Sequence, residues 1–136
     1  MKNNPTTLLV VAAALLRSDG KILLQRRPEG RSMAGLWEFP GGKLENDETP
    51  EAALARELAE ELAIEIDIAN LVPTCFASAT IDDRPLLLLL YTCSVWDGTP
   101  VAVESPELGW FSIDEMFRLP MPPADVPLIE LLKKLI

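Results

Sequence analysis

Residues 42–64 read GKLENDETPEAALARELAEELAI, and no other stretch says as much about how this chain folds. Thr49 and Pro50 are a typical helix start, because a threonine hydroxyl accepts an unpaired backbone N–H and proline suits the first helical position. Residues with high helix propensity continue from there to about Leu62. The sequence therefore predicts a helix over residues 50–62.

Three glutamates share one face of this helix, because Glu57, Glu60 and Glu61 stand at positions i, i+3 and i+4. A solvated surface face is the alternative, and it usually interleaves glutamates with lysines at i+4, each pair stabilising by ~0.2–0.5 kcal/mol. Here Glu57 and Glu61 are like-charged, and Arg56 is the single basic residue between positions 49 and 64. The cluster of hard oxygen ligands favours a site for Mg²⁺, with Mn²⁺ as a substitute.

Two glycines and a lysine come shortly before the helix. Gly41 and Gly42 can bring the backbone close to a ligand or offer a carbonyl to a cation, and Lys43 can bind a phosphate. The stretch is not a P-loop, because Leu44 follows the lysine where that motif has serine or threonine. The commonest competing phosphate motif is thus excluded.

Length and charge narrow the class of protein. The 136 residues fit a single domain over residues 1–136, and the net charge of −9 disfavours a nucleic-acid polymer as partner. A small polyphosphate remains compatible, because a bound divalent cation inverts the local field. The apolar run Leu8–Leu16 is about half the ~20 residues that a membrane span needs, and the residues before it do not have the pattern expected of a signal peptide. We expect a cytoplasmic protein that does not bind membranes.

The residues available for chemistry are restricted by the absence of histidine from the sequence. An imidazole-based triad is excluded, so the chemistry must use carboxylates, lysine or arginine, hydroxyl groups or a hard metal ion. Cys75 and Cys93 lie in apolar, strand-like runs. We predict that they are small core residues and not a redox pair.

The order of the remaining elements predicts an α+β or mixed-sheet domain, with α-helices flanking a central sheet. Hydrophobic patterning predicts strands at Leu8–Leu16, Lys21–Arg26, Ile66–Thr80 and Leu86–Trp96, shorter strand pieces at Val101–Glu104 and Gly109–Ser112, a helical turn at Ile113–Phe117 and a final helix at Val126–Leu135.

The glycine, glutamate and arginine positions in residues 42–64 resemble the motif of a known family. Gly42, five residues, Glu48, seven residues and then Arg56-Glu57-Leu58-x-Glu60-Glu61 resemble the Nudix box, here residues 42–64. The segments 33–43 and 122–125 resemble the MutT-like subgroup. The resemblance implies a Nudix fold, in which a mixed sheet lies between helices. One position departs from it, since the family usually has glycine where this chain has Ala63, and alanine in a left-handed conformation costs ~1–2 kcal/mol.

The resemblance also implies roles at the metal site. It implies metal ligation by Glu57, Glu60 and Glu61, by the carbonyl of Gly41 and by Glu104, which is either an extra ligand or the catalytic base. Glu104 has the alternative of being an ordinary turn glutamate. Arg56 would hold the glutamates in position by a salt bridge, and Glu48 would brace the loop. Glu57, Glu60, Glu104 and Arg56 are thus the predicted catalytic residues.

For the substrate, the predicted phosphate-binding residues are Lys43 and Arg27, and either has the alternative of being a surface cation. Asp125 is interpreted as the N-cap of the final helix and, through the resemblance, as a residue facing the nucleobase. An ionised aspartate only accepts hydrogen bonds, which suits a base that presents donors. Phe39, Phe76 and Arg84 are further candidates to wall the base, although both phenylalanines are of a type more often found in the core.

The function that this resemblance implies is hydrolysis of a nucleoside triphosphate to its monophosphate and pyrophosphate. The first hypothesis is removal of damaged nucleotides such as 8-oxo-dGTP, and the second, favoured by Asp125, is hydrolysis of CTP or a modified dCTP. A non-catalytic nucleotide-binding module is the third, but such modules typically lose glutamates of the box. The expected partner is a small-molecule nucleotide, and the expected state is a monomer or weak dimer.

Overall fold

The first apolar run forms one of the two inner strands of the larger of two sheets. The structure, a computed structural model, describes residues 6–136, so that residues 1–5 of the predicted domain lie outside the described part. Its strands are β1 (Leu8–Leu15), β2 (Ile22–Arg26), β3 (Trp37–Glu38), β4 (Gly41–Lys43), β5 (Val72–Ile81), β6 (Arg84–Cys93) and β7 (Leu108–Phe111), and its helices are α1 (Pro50–Leu62), α2 (Ile113–Met116) and α3 (Val126–Leu135).

The larger sheet is mixed. Its strand order is β4-β1-β6-β5, and β1 runs parallel to β6 and antiparallel to β4. Strand β1 is buried on both faces: Val11 and Ala13 pack in one core with α1, whereas Ala12 and Ala14 pack in another with α3. A smaller sheet has the order β3-β2-β7. The predicted α+β class, with a mixed sheet between helices, is confirmed.

Helix α1 begins and ends where the sequence predicts. The Thr49 hydroxyl accepts the N–H of Ala52 at 3.1 Å, and Pro50 is the first helical residue. Three leucines, Leu54, Leu58 and Leu62, are fully buried and fix the helix on the sheet. Ala63 then adopts the left-handed conformation, with φ 57° and ψ 37°, and donates its N–H to the Ala59 carbonyl at 3.1 Å.

The left-handed alanine gives a stability prediction. Ala63→Gly should raise the free energy of unfolding by about 1 kcal/mol, because glycine adopts this conformation without the steric cost that alanine bears. Ala59→Gly is the matched control: Ala59 is also exposed but lies within the helix, where glycine costs about 1 kcal/mol relative to alanine. Urea unfolding measures both, and destabilisation by both variants would contradict the strain assigned to Ala63.

Some predicted boundaries were wrong. The run from residue 66 becomes a strand only at Val72, because the Asp67 carboxylate accepts the N–H of Ala69 at 3.0 Å and starts a 3-10 turn over Ile68–Asn70. The next strand ends at Cys93 and not at Trp96. Cys93 is a buried core residue, as predicted, whereas Cys75 is half-buried and packs against the edge of the other core.

The segment 101–104 is not a strand. Its N–H groups bond to the end of α1 instead: Val101 donates to the Leu62 carbonyl at 3.0 Å, and Val103 donates to the Glu61 carbonyl at 3.2 Å. The last carbonyls of a helix have no partner within the helix, so this loop satisfies two of them. Across residues 6–136, no helix is long and apolar enough to cross a membrane.

Candidate active site

A cavity of about 1190 Å³ brings most of the predicted site residues together. Helix α1, strand β4, the end of β2, the segment 104–105 and the segment before α3 all contribute to its wall. The predicted residues that line it are Arg27, Phe39, Gly41, Lys43, Glu57, Glu61, Glu104 and Asp125. Glu60 and Arg84 are not part of this lining.

A close approach of β4 to α1 places Glu57 beside Gly42. A Cβ atom built on Gly42 would lie 2.6 Å from both carboxylate oxygens of Glu57, so only glycine leaves room for this carboxylate. Arg56 Nη1 donates to Glu57 Oε1 at 3.0 Å. The sequence singled out both glycines for their backbone, but it gave no sign that a side chain would need this space.

Arg56 joins the helix to the preceding loop. Its Nε donates to Glu48 Oε2 at 2.8 Å and its Nη2 to Glu48 Oε1 at 2.9 Å, which is a bidentate pair, and Nη2 also donates to the Lys43 carbonyl at 3.2 Å. These bonds lower the pKa of Glu48 to about 2. The geometry agrees with the bracing roles expected for Arg56 and Glu48.

Glu61 is the buried member of the glutamate set, with 7% of its surface exposed. Burial and, to a smaller extent, the neighbouring Glu57 carboxylate together raise its pKa to about 9. Two neighbouring carboxylates that are shielded from water repel one another unless a proton or a cation lies between them. The pair therefore fits a divalent cation in its chemistry.

Glu60 and Glu104 lie less deeply than this pair. Glu60 Oε2 accepts from Arg56 Nη1 at 3.4 Å, and its side chain is 55% exposed. Glu104 is exposed at the cavity wall, on the loop that Val103 ties to α1. Within residues 6–136, no three acidic side chains converge closely enough to hold a metal ion by themselves. The structure thus brings Glu57 and Glu61 together, with Glu104 at the same cavity.

Cationic side chains supply positive charge to the cavity wall. Arg27 Nη1 donates to Glu38 Oε1 at 2.8 Å and its Nε to the Ser32 carbonyl at 2.8 Å, so its guanidinium is held in place. Sequence reasoning missed Arg26 and Arg31, which also line the cavity. The cluster of arginines around the loop 28–35 could have indicated both residues as candidates for binding phosphate.

Asp125 occupies the N-cap position of α3, as the sequence predicts, but its side chain does not cap the helix. Its backbone is already helical, with φ −81° and ψ −28°, and its side chain makes no capping hydrogen bond. Instead, the N–H of Phe39 donates to Asp125 Oδ2 at 3.2 Å, and burial raises the pKa of Asp125 to about 7. The carboxyl group therefore lines the cavity beside a buried phenylalanine.

The other two candidates for walling the base lie elsewhere. Phe76 is 63% exposed on β5, so its interpretation as a core residue was wrong, and it is not part of the large cavity's lining. Arg84 is the first residue of β6, directly after the turn from β5, and its Nη2 donates to the Thr6 carbonyl at 3.4 Å. Neither residue is brought to Asp125 by the fold.

The buried carboxyl group gives a pH prediction. Between pH 3.8 and about 7, folded Asp125 keeps a proton that the unfolded chain has released, so the free energy of unfolding should fall by about 1.4 kcal/mol per pH unit as pH rises. Asp125→Asn removes this dependence and still accepts the Phe39 N–H. Its stability relative to wild type should therefore increase from pH 4 to pH 7 and then level off.

Urea unfolding of both proteins from pH 4 to pH 8 measures that difference. Other buried acids, Glu61 among them, are present in both proteins and cancel in the comparison. Parallel stability curves for the two proteins would show that Asp125 does not bind the proton.

Comparison with known proteins identifies relatives over nearly the whole length of the chain. The NUDIX domain family matches residues 6–132. The CTP pyrophosphohydrolase of Escherichia coli K12 is 42% identical over 123 residues, which cover 90% of each chain. The 8-oxo-dGTP diphosphatase of the same organism is 34% identical over 128 residues, covering 93% of this chain and 98% of the relative.

Solved structures agree with the sequence relatives. The solution structure of the E. coli ORF135 protein has a TM-score of 0.85 at 39% identity, covering 96% of this chain and 91% of the other. The crystal structure of a MutT Nudix hydrolase from Burkholderia pseudomallei has a TM-score of 0.82 at 30% identity, covering 93% of this chain and 98% of the other. Each similarity covers more than nine-tenths of both chains that it joins.

Proposed function

Because the chain belongs to the Nudix hydrolase family, we propose that it is a Mg²⁺-dependent pyrophosphohydrolase that converts a nucleoside triphosphate to its monophosphate and pyrophosphate. The enzymes of this family hydrolyse phosphoric anhydrides and generally need divalent cations. The observation that carries the proposal is the Glu57–Glu61 pair, which shares one cavity with cationic side chains and a buried carboxyl group.

The proposed metal ligands are Glu57 and Glu61 with the carbonyl of Gly41, joined by Glu60 and Glu104. When bound, Mg²⁺ would neutralise charge on the phosphate chain and make the phosphorus atom more electrophilic toward water. Mn²⁺ would have the same effect. The hard, anionic oxygen donors support this choice of metal.

The chain's own residues bind the substrate and move the proton. Lys43 and Arg27 would bind the phosphate chain, with Arg27 already oriented by Glu38. Glu104 or a glutamate of α1 would accept the proton of the attacking water, while the phosphoanhydride bond breaks and pyrophosphate leaves. Arg56 holds Glu57 through a hydrogen bond and the loop through Glu48, so it acts as a positioning residue.

For the substrate, the first candidate is a damaged triphosphate such as 8-oxo-dGTP, supported by the MutT-like segments and the 34% identity to an 8-oxo-dGTP diphosphatase. CTP or a modified dCTP is the second, supported by the 42% identity to a CTP pyrophosphohydrolase. With its pKa near 7, Asp125 both donates and accepts at neutral pH, which serves either base. A cytoplasmic location and a monomeric or weakly dimeric state remain predictions from the sequence.

Pyrophosphate release from a panel of triphosphates, with and without Mg²⁺, tests the proposal. We expect release that requires the metal, with 8-oxo-dGTP or CTP hydrolysed at the highest kcat/KM. Preference between these two separates the two candidate substrates. No release from any triphosphate, together with nucleotide binding, would instead support a non-catalytic binding module.

A further inference from the structure

Gln25 is a buried polar residue in the wall of the cavity, and the proposed function gives it no role. It lies near the end of β2 with 5% of its surface exposed. Its register partner on β3 is Glu38, and directly opposed residues of antiparallel strands point to the same face of the sheet. The Gln25 side chain is therefore next to Glu38, and it also reaches the neighbouring helix.

On α1, the Gln25 amide contacts the buried glutamate: Nε2 donates to Glu61 Oε2. This contact links residues 36 positions apart in the sequence and joins the smaller sheet to α1. The hydrogen bond engages Oε2 and leaves Oε1 for another partner. A buried carboxylate that has lost its water needs such a donor to keep one orientation.

Glu57 and Glu61 are thus held by different hydrogen-bond donors. Glu57 is bonded to the cationic Arg56, whereas no lysine or arginine in the described chain forms a salt bridge with Glu61. A neutral amide fixes the carboxyl group without placing a positive charge beside it. An arginine or lysine in its place would compete with any cation for that carboxyl group.

We propose that Gln25 is a positioning residue that orients Glu61 toward the divalent cation. This inference rests on the proposed function, in which Glu61 is a metal ligand. Groups that orient metal ligands typically contribute about 10–100-fold to metal affinity or activity. Gln25 contacts the proposed ligand Glu61 directly, so its loss is expected to weaken binding of the metal by the free protein.

Binding of Mn²⁺ to the nucleotide-free protein, followed by the loss of the free-ion EPR signal, tests this role directly. Gln25→Met keeps the length of the side chain and removes the donor, while Gln25→Asn keeps the amide but shortens the reach by one methylene group. Both variants should bind Mn²⁺ about 10–100-fold more weakly than wild type. Gln25→Asn provides the measurement if the methionine variant does not fold.

Thr92→Val is the matched control for loss of a partly buried hydrogen bond. It removes the 3.0 Å bond between the Thr92 and Thr74 hydroxyl groups, neither of which lines the large cavity, so it should leave the Mn²⁺ dissociation constant unchanged. Wild-type affinity in both Gln25 variants would overturn the role of Gln25 and leave the proposed function standing. Failure of the wild-type protein to bind Mn²⁺ would overturn the proposed metal site and this inference with it.

Discussion

Glu57→Gln should lower kcat by more than about 100-fold while the protein still folds. The substitution keeps the size of the side chain but removes a negative charge from the proposed metal ligands. Loss of a group that merely orients a ligand already costs about 10–100-fold, so loss of the ligand itself should cost more. Folding should survive because Arg56 keeps its bidentate pair with Glu48, and the helix keeps its buried leucines.

Pyrophosphate release at saturating nucleotide and Mg²⁺ measures the effect, and thermal unfolding confirms that the variant is folded. Glu51→Gln is the matched control, because it makes the same chemical change on the same helix. Glu51 Oε2 accepts from the Tyr91 hydroxyl at 2.6 Å, and a glutamine oxygen can accept that bond too. A folded Glu57→Gln protein with kcat within about threefold of wild type would show that Glu57 is not a ligand, since a lost ligand costs more than that.

Gly42→Ala should lower kcat/KM by at least about 100-fold. The added Cβ would lie 2.6 Å from both oxygens of the Glu57 carboxylate, so this side chain must move. Misplacing a catalytic group by about 1 Å can reduce a rate about 100-fold. Gly42 does not have a left-handed backbone, so the loss would come from displacement of Glu57 and not from conformational strain.

Gly20→Ala separates those two causes. Gly20 has a φ of 84°, and a Cβ added there would meet no atom within 4 Å. Alanine at this position should therefore cost about 1–2 kcal/mol of stability and leave kcat/KM unchanged. The same pyrophosphate assay and urea unfolding compare the two variants. Full activity in Gly42→Ala would mean that Glu57 works from another position than the one described.

The parts of the fold that local chemistry determines were predictable from the sequence. Thr49 and Pro50 define the start of α1 through contacts within a single turn, and the mixed sheet followed from the order of the apolar runs. The spacing of Glu57 and Glu61 on one helical face was equally readable, because it depends only on the helical repeat. These predictions needed no knowledge of distant neighbours.

Long-range contacts account for the parts that sequence reasoning missed or misassigned. Asp125 looked like an N-cap, but its partner is the N–H of Phe39, 86 positions away. Gln25 carried no signal because its role depends on a helix 36 positions further along the chain. Phe76 looked like a core residue, but it lies on an edge strand, on a part of the sheet that the helices leave open to solvent.

The loop that carries Glu104 is tied to α1 through main-chain atoms alone. Val101 and Val103 present exposed side chains, and their N–H groups make the bonds to the helix carbonyls. Substitution of Val101 or Val103 by any residue except proline should therefore keep these main-chain hydrogen bonds, because only proline lacks the N–H. Every amino acid except proline has the backbone N–H that these hydrogen bonds need. The attachment of this loop to α1 therefore cannot be recognised from its residue types.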